Sequence, residues 1–169
     1  ELFKQLKEDQ IVVTGNGSAC VVGFQAADLK LGQRLWTNSG CATMGYDLPA
    51  AIGAHKGSGG KPIVCLAGDG SIMMNLQELQ TIAGNHLPIK IFILNNSGYV
   101  SIFQTHRNFF NGVEVGGGPK SGVNFPNFEK LTEPIPGRFY SAHFAFTQGE
   151  FVKEVPHDPN LYFHGEEIS

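Results

Sequence analysis

The stretch "CLAGDGSIMMNLQELQTIAGNHLPIKIFILNNSGY", Cys65 to Tyr99, sets a carboxylate and an amide just past two apolar runs, with glycines near each. Asp69 and Asn96 stand 27 residues apart, and a strand-like segment precedes each of them. A carboxylate and an amide carbonyl oxygen are hard ligands. A divalent cation such as Mg²⁺ accepts them while keeping water and phosphate oxygens for the rest of its shell. Gly68 and Gly70 flank the acid, and a glycine at 70 lets the backbone approach an anion closely. The amides of Gly70 and Ser71 open a helix, whose positive end favours phosphate. A magnesium-bridged diphosphate fits these residue types in this order.

Such a pair needs elements that bring 69 and 96 to one place. Strand-like and helix-like runs alternate along the chain, the pattern of a parallel sheet covered by helices. "IVVTGNG" is a short β-branched run ending in glycines, and "SACVVGFQAADL" follows it with helical spacing. "RLWTNSG" reads as a short strand and leads into the small-residue helix "YDLPAAIGAHKG". "KPIVCLAG" and "IKIFILNN" are apolar almost throughout, as buried parallel strands are. Between them Leu76, Leu79, Ile82 and Ala83 repeat at helical spacing, with Gly84 and Pro88 as the stop. In an open parallel sheet, ligands bind beyond the carboxyl ends of the strands, and both Asp69 and Asn96 fall there.

Bulk composition excludes several classes. The chain has 169 residues, 41% hydrophobic and 16% charged, with a net charge of -3. That is enough for one ordinary domain with a real core, and it fits neither a disordered tail nor a basic nucleic-acid surface. Cys20, Cys41 and Cys65 have apolar or small neighbours and no CxxC or Cys/His spacing, so all three read as reduced core thiols of a cytoplasmic protein. No apolar stretch approaches the roughly 20 residues of a membrane span. The chain starts at Glu1 without a charged n-region followed by an apolar h-region, which reads as a chain that begins inside a longer gene product.

Glycine-aspartate turns are common singly. The combination of "GDG" and "NN", each after a strand, resembles the thiamine diphosphate enzymes, whose cofactor motif opens with GDG and closes with NN. The similarity is greatest to the large subunit of acetolactate synthase and covers about residues 10–131. "SGCATMGYDLPAAIGA" and the more diverged "GNGSAC" are two further stretches similar to that family, in the family's order. The resemblance implies an α/β, doubly wound parallel sheet with helices on both faces. It also implies that Asp69 and Asn96 supply side-chain ligands to Mg²⁺, with a third oxygen from the carbonyl of Gly98. Gly68, Gly70, Ser71 and Asn96 match the diphosphate site. Gly17 and Ser18 fall where the family's first loop touches the diphosphate, often through a glutamine and a histidine. Met44 matches the apolar wedge beneath the bent cofactor.

That wedge has a chemical purpose. A bent thiamine diphosphate carries its own 4′-amino nitrogen close to the thiazolium carbon that loses a proton, so intramolecular geometry replaces a strong base. The thiazolium then serves as an electron sink for decarboxylation of a 2-oxo acid such as pyruvate, and the acyl unit is transferred. The family's catalytic glutamate comes from a pyrimidine-binding domain of the same enzyme or of a partner subunit, within a homo-oligomer, and nothing here matches it. No catalytic residue is therefore expected in this chain. Glu78, mid-helix near the site, reads as a solvated glutamate. His106 and Arg107 lie where relatives line the substrate entrance and read as a surface pair.

Past Leu131 the character changes. Residues 132–169 carry six acidic and two basic side chains, against nine and ten in residues 1–131. Pro134 and Pro136 in "TEPIPG" mark the join. The expectation is a cofactor domain over 1–131 with a truncated sheet edge, then a fused tail over 132–169. About residues 136–169 resemble a family of glycosyltransferases that add N-acetylglucosamine to hydroxyproline, with Glu166 and Glu167 at its acidic pair and His164 beside them. The donor half of such an enzyme is absent, so the tail reads as a remnant or junction. Its aromatic alternation, "HFAF" and "LYF", is suited to pairing against the sheet edge. Two other readings remain open: a non-catalytic cofactor-binding fragment that needs a partner domain, and a fragment of a glycosyltransferase.

Overall fold

The computed structural model describes residues 2–132 throughout, and beyond them the strands at 139–143, 146–147 and 150–151. Five strands form one parallel sheet: β1 (Ile11–Thr14), β2 (Arg34–Trp36), β3 (Ile63–Gly68), β4 (Ile89–Asn95) and β5 (Phe139–His143), in the order β2-β1-β3-β4-β5. Val13 pairs with Trp36 on one side and Cys65 on the other, and Leu94 pairs with Gly68 and Ala142. A separate antiparallel pair joins β6 (Phe146–Thr147) to β7 (Glu150–Phe151).

Each connection follows from its residues. β1 runs into α2 (Gly17–Ala26), and Gly17, at φ 55, makes the turn that a side chain would strain. β2 leads to α3 (Asp47–Gly57), β3 directly to the single turn α4 (Asp69–Ile72), then a 3₁₀ turn and α5 (Glu78–Gly84). β4 leads to α6 (Val100–Phe109) and, after a glycine-rich loop, to α7 (Phe128–Thr132). A short helix α1 (Leu2–Gln5), with no signal in the sequence, adds Phe3 to the core.

Alternation along the strands feeds two apolar layers. Val13, Ile63, Cys65, Ile91 and Ile93 pack with Leu48 of α3, Leu79 and Ile82 of α5 and Phe128 of α7. On the opposite face Val12, Val64 and Leu66 pack with Ala19 of α2 and with Phe3 and Leu6. Helices therefore cover both faces, and the doubly wound α/β arrangement is as the sequence implies.

Two expectations are corrected. The sheet does not stop at β4, because β5 extends it within the stretch expected to be a fused tail. The phenylalanine and tyrosine at its start suit a strand. Of the three cysteines only Cys65 is a core thiol; Cys20 is half-buried and Cys41 exposed in the loop before α3, although all three are unpaired. Small neighbours in "SGCATMG" marked an open loop, not a core.

Candidate functional site

After β1 the chain turns one way, to β2, and from β3 onward it runs the other way, to β4 and β5. Connections that leave in opposite directions open a crevice at the strand ends between β1 and β3. Gly15, Gly17 and Ser18 line its β1 side, the loop 37–46 descends from β2, and Gly68–Ser71 and Asn96–Gly98 follow β3 and β4. Asn16 Nδ2 donates to the Ala42 carbonyl at 2.9 Å, tying the β1 and β2 loops together.

Asp69 is 2% exposed and gathers backbone donors from two loops. Its Oδ1 accepts the Gly70 N–H at 2.8 Å, and its Oδ2 accepts those of Asn96 at 2.9 Å and Gly98 at 3.2 Å. Ser97, at φ 56 in the left-handed region, turns the chain so that both neighbouring amides face the acid. Burial pushes the Asp69 carboxyl above its ordinary value, and the N–H groups of Gly70, Gly98, Asn96 and Ser97 pull it back. Asn96 Oδ1 is buried with no hydrogen-bond partner. A buried amide oxygen without a donor calls for one more group. A carboxylate and an amide oxygen are both the hard donors that a small divalent cation takes. Among the described residues no three His, Cys, Asp or Glu side chains cluster.

The glycines have a packing reason that the sequence did not show. A Cβ on Gly70 would run into the Tyr99 ring, and one on Gly98 would come within 2.6 Å of Phe103 and 2.7 Å of the Gly117 carbonyl. Gly70 is thus required by Tyr99, and its N–H is directed at Asp69. Ser71 keeps its amide in the first turn of α4, where no intrahelical acceptor exists.

The loop 116–121, "GGGPKS", was missed. The Gly117 carbonyl accepts the Tyr99 N–H at 2.8 Å, and Ser121 Oγ accepts from the amides of Gly117 at 3.0 Å and Gly118 at 3.2 Å. It backs the Asn96–Gly98 turn, and the run of three glycines was its signal. Asp47 was missed as well. Fully buried at the start of α3, it accepts the Ser71 hydroxyl at 2.6 Å. Burial raises its carboxyl above the ordinary value, and the Ser71 hydrogen bond opposes this; burial and Asp47 together push the Cys65 thiol well up.

Met44, half-buried, precedes Gly45, whose N–H reaches Ser71 Oγ at 2.9 Å, so the structure brings the expected wedge to the loop after β3. Glu78 is half-buried in the first turn of α5. His106, read as a surface residue, is half-buried, with Nδ1 enclosed and its ring edge-on to Phe110; Arg107 is exposed. His164, Glu166 and Glu167 lie outside the described residues. No helix among the described residues is long and apolar enough to cross a membrane.

Comparison with known proteins identifies the family of the chain. Residues 15–147 match the family described as thiamine pyrophosphate enzyme, C-terminal TPP binding domain. The chain is 39% identical over 130 residues to the acetolactate synthase large subunit of Porphyra purpurea, covering 76% of this chain and 21% of that protein. It is 38% identical over 113 residues to the acetolactate synthase isozyme 2 large subunit of Escherichia coli (strain K12), covering 64% and 21%. Among solved structures, the thiamine diphosphate-dependent 4-hydroxybenzoylformate decarboxylase of Rhodococcus jostii RHA1 superposes with a TM-score of 0.65 and 25% identity, over 81% of this chain and 25% of that one. The chain thus spans about a fifth of the length of the curated relatives it matches. The family match runs past residue 131, and the glycosyltransferase resemblance of 136–169 finds no support.

Proposed function

This chain belongs to the family of thiamine pyrophosphate enzyme C-terminal TPP-binding domains, and on that premise we propose that it binds Mg²⁺-thiamine diphosphate at the ends of β3 and β4, within an acetolactate synthase-like enzyme. The observation that carries the metal part is the buried, unpartnered Oδ1 of Asn96, the residue whose backbone N–H reaches the Asp69 carboxylate. Asp69 and Asn96 hold the ion, with the Gly98 carbonyl as a third oxygen. Gly68, Gly70 and Ser71 from the β3 side, and Gly17 and Ser18 from the β1 side, form the diphosphate cradle. Met44 supports the cofactor's rings from the loop before α3.

When bound, the cofactor supplies an electron sink for decarboxylation of a 2-oxo acid such as pyruvate, followed by transfer of the acyl unit. The chain's own part is to bind, orient and exclude water. Three backbone N–H groups keep the Asp69 carboxylate in place and leave lone pairs for an ion. Apolar strands beneath the loops keep the floor of the site dry. Acid-base work on the pyrimidine ring falls to a glutamate of a pyrimidine-binding domain, in the same protein or in a partner subunit of a homo-oligomer, so the isolated chain binds cofactor without turning over. A cytoplasmic location belongs to the same reading, supported by three unpaired cysteines.

Calorimetric titration of thiamine diphosphate with Mg²⁺, followed by a pyruvate assay with and without an added pyrimidine-binding domain, tests both parts. Saturable, Mg²⁺-dependent binding with turnover only after addition of the domain is the expected result. Absence of Mg²⁺-dependent binding would end the reading.

A further inference from the structure

Asp47 is a fully buried carboxylate beside the site, and none of the roles above uses it. Its Oδ1 accepts the Leu48 N–H at 3.0 Å and its Oδ2 the Ser71 hydroxyl at 2.6 Å. Room for the carboxylate depends on Gly15, where a Cβ would come within 2.6 Å of Oδ2. With its hydrogen committed to Asp47, Ser71 Oγ accepts the Gly45 N–H at 2.9 Å, and the Gly45 carbonyl accepts Asn75 Nδ2 at 2.8 Å. Gly45 sits at φ 81, and a Cβ there would lie 2.6 Å from that of Met74. Both polar groups of this one residue are therefore held by the single segment 71–75.

We propose that Asp47 is a positioning residue which, through the Ser71 hydroxyl, latches the Met44–Gly45 turn onto the segment bearing Gly70 and Ser71. The latch holds the apolar wedge and the diphosphate cradle at one spacing. This rests on the cofactor reading of Met44 and Ser71. The residue type matters. A carboxylate is acceptor-only, so it dictates the direction of the Ser71 O–H and leaves the serine lone pair for Gly45, whereas an amide could present its NH₂ and reverse that order. The buried position also excludes water that would otherwise compete for the same bonds.

The test uses two probes on the full chain, thiamine diphosphate and inorganic diphosphate, each titrated with Mg²⁺ by calorimetry. Asp47→Ala and Ser71→Ala should each weaken thiamine diphosphate about tenfold, the equivalent of one well-made hydrogen bond. Asp47→Ala should change inorganic diphosphate much less, because only thiamine diphosphate reaches the wedge. The double variant should bind thiamine diphosphate no worse than the weaker single variant, since both cut one chain of bonds. If Asp47→Ala does not fold, Asp47→Asn makes the same comparison, with a smaller loss. Exchange of the Gly45 amide, followed by NMR without ligand, should accelerate in each variant.

Equal losses for the two probes in the Asp47 variant, additive losses in the double variant, or unchanged Gly45 exchange would each overturn the latch while the cofactor reading stands. Equal affinity of the unmodified chain for both probes would overturn it too, leaving no wedge contribution to position. An unmodified chain that binds neither probe would remove the cofactor reading itself, and the latch with it.

Discussion

Asp69 and Asp47 are both buried carboxylates at the carboxyl end of the sheet, and burial raises both, yet their surroundings differ in kind. Asp69 receives three backbone N–H groups from two loops, and one of the donating residues, Asn96, has an unsatisfied amide oxygen. Asp47 receives one hydroxyl and the N–H of its own neighbour, and that hydroxyl passes the connection on to Gly45. On the reading proposed above, the backbone donors hold the Asp69 carboxylate in place for a cation, whereas the Ser71 hydroxyl ties Asp47 into the scaffold. Burial is common to both; their donors differ.

The largest expected effect separates the two acids directly. Asp69→Ala should weaken Mg²⁺-thiamine diphosphate binding by about 3 kcal/mol or more, as for a lost charged, desolvated contact, with Asn96→Ala doing less harm. Calorimetry in millimolar Mg²⁺ reads both, and unchanged affinity in the Asp69 variant would erase the contrast with Asp47.

Next comes the packing that joins the Asp69 loops. Gly70→Ala drives a methyl into the Tyr99 ring and should cost about 1–3 kcal/mol of stability in urea denaturation, the range for overpacking. Tyr99→Ala in the same background should recover part of that loss. No recovery would mean that the ring is not the obstacle.

A smaller effect is read by pH. The folded carboxyl of Asp47 titrates above its ordinary value of 3.8, with Leu48 N–H, the Ser71 hydroxyl and the Cys65 thiol facing it. Between the ordinary value and the raised one, the folded state therefore holds a proton that the unfolded state has already released. Its contribution is present in full below the ordinary value and is lost as pH rises through the raised one. Asp47→Asn should flatten that decline in a series of denaturation curves; an unaltered slope would assign the titration to another group. The smallest effect is expected from removing residues 152–169, which lie beyond the family match. Cofactor affinity should move by no more than about 0.5 kcal/mol. A large loss would show that the end of the chain reaches the site.

Much of this was legible because it was written locally. Ile89 to Asn95 reads as a buried strand from its own composition, and "GDG" and "NN" announce the loops that follow β3 and β4. β5 was misjudged because "FYSAH" follows two prolines and an abrupt change of charge, and a strand of five residues shows its partner only in the sheet. Cys41 was misjudged because neighbour size does not reveal which side of a loop faces water.

By itself the sequence determined the order of β1 to β4 and of the helices between them, the positions of Asp69 and Asn96 at strand ends, and the chemistry those two side chains offer, since periodicity and residue type are properties of the chain. Only the tertiary structure decided that Tyr99 is the reason for Gly70, that the 116–121 loop backs the Asn96 turn, and that Asp47 reaches Ser71 across 24 positions. Those are contacts between segments far apart in the chain. Their geometry exists only once the sheet has set the segments side by side.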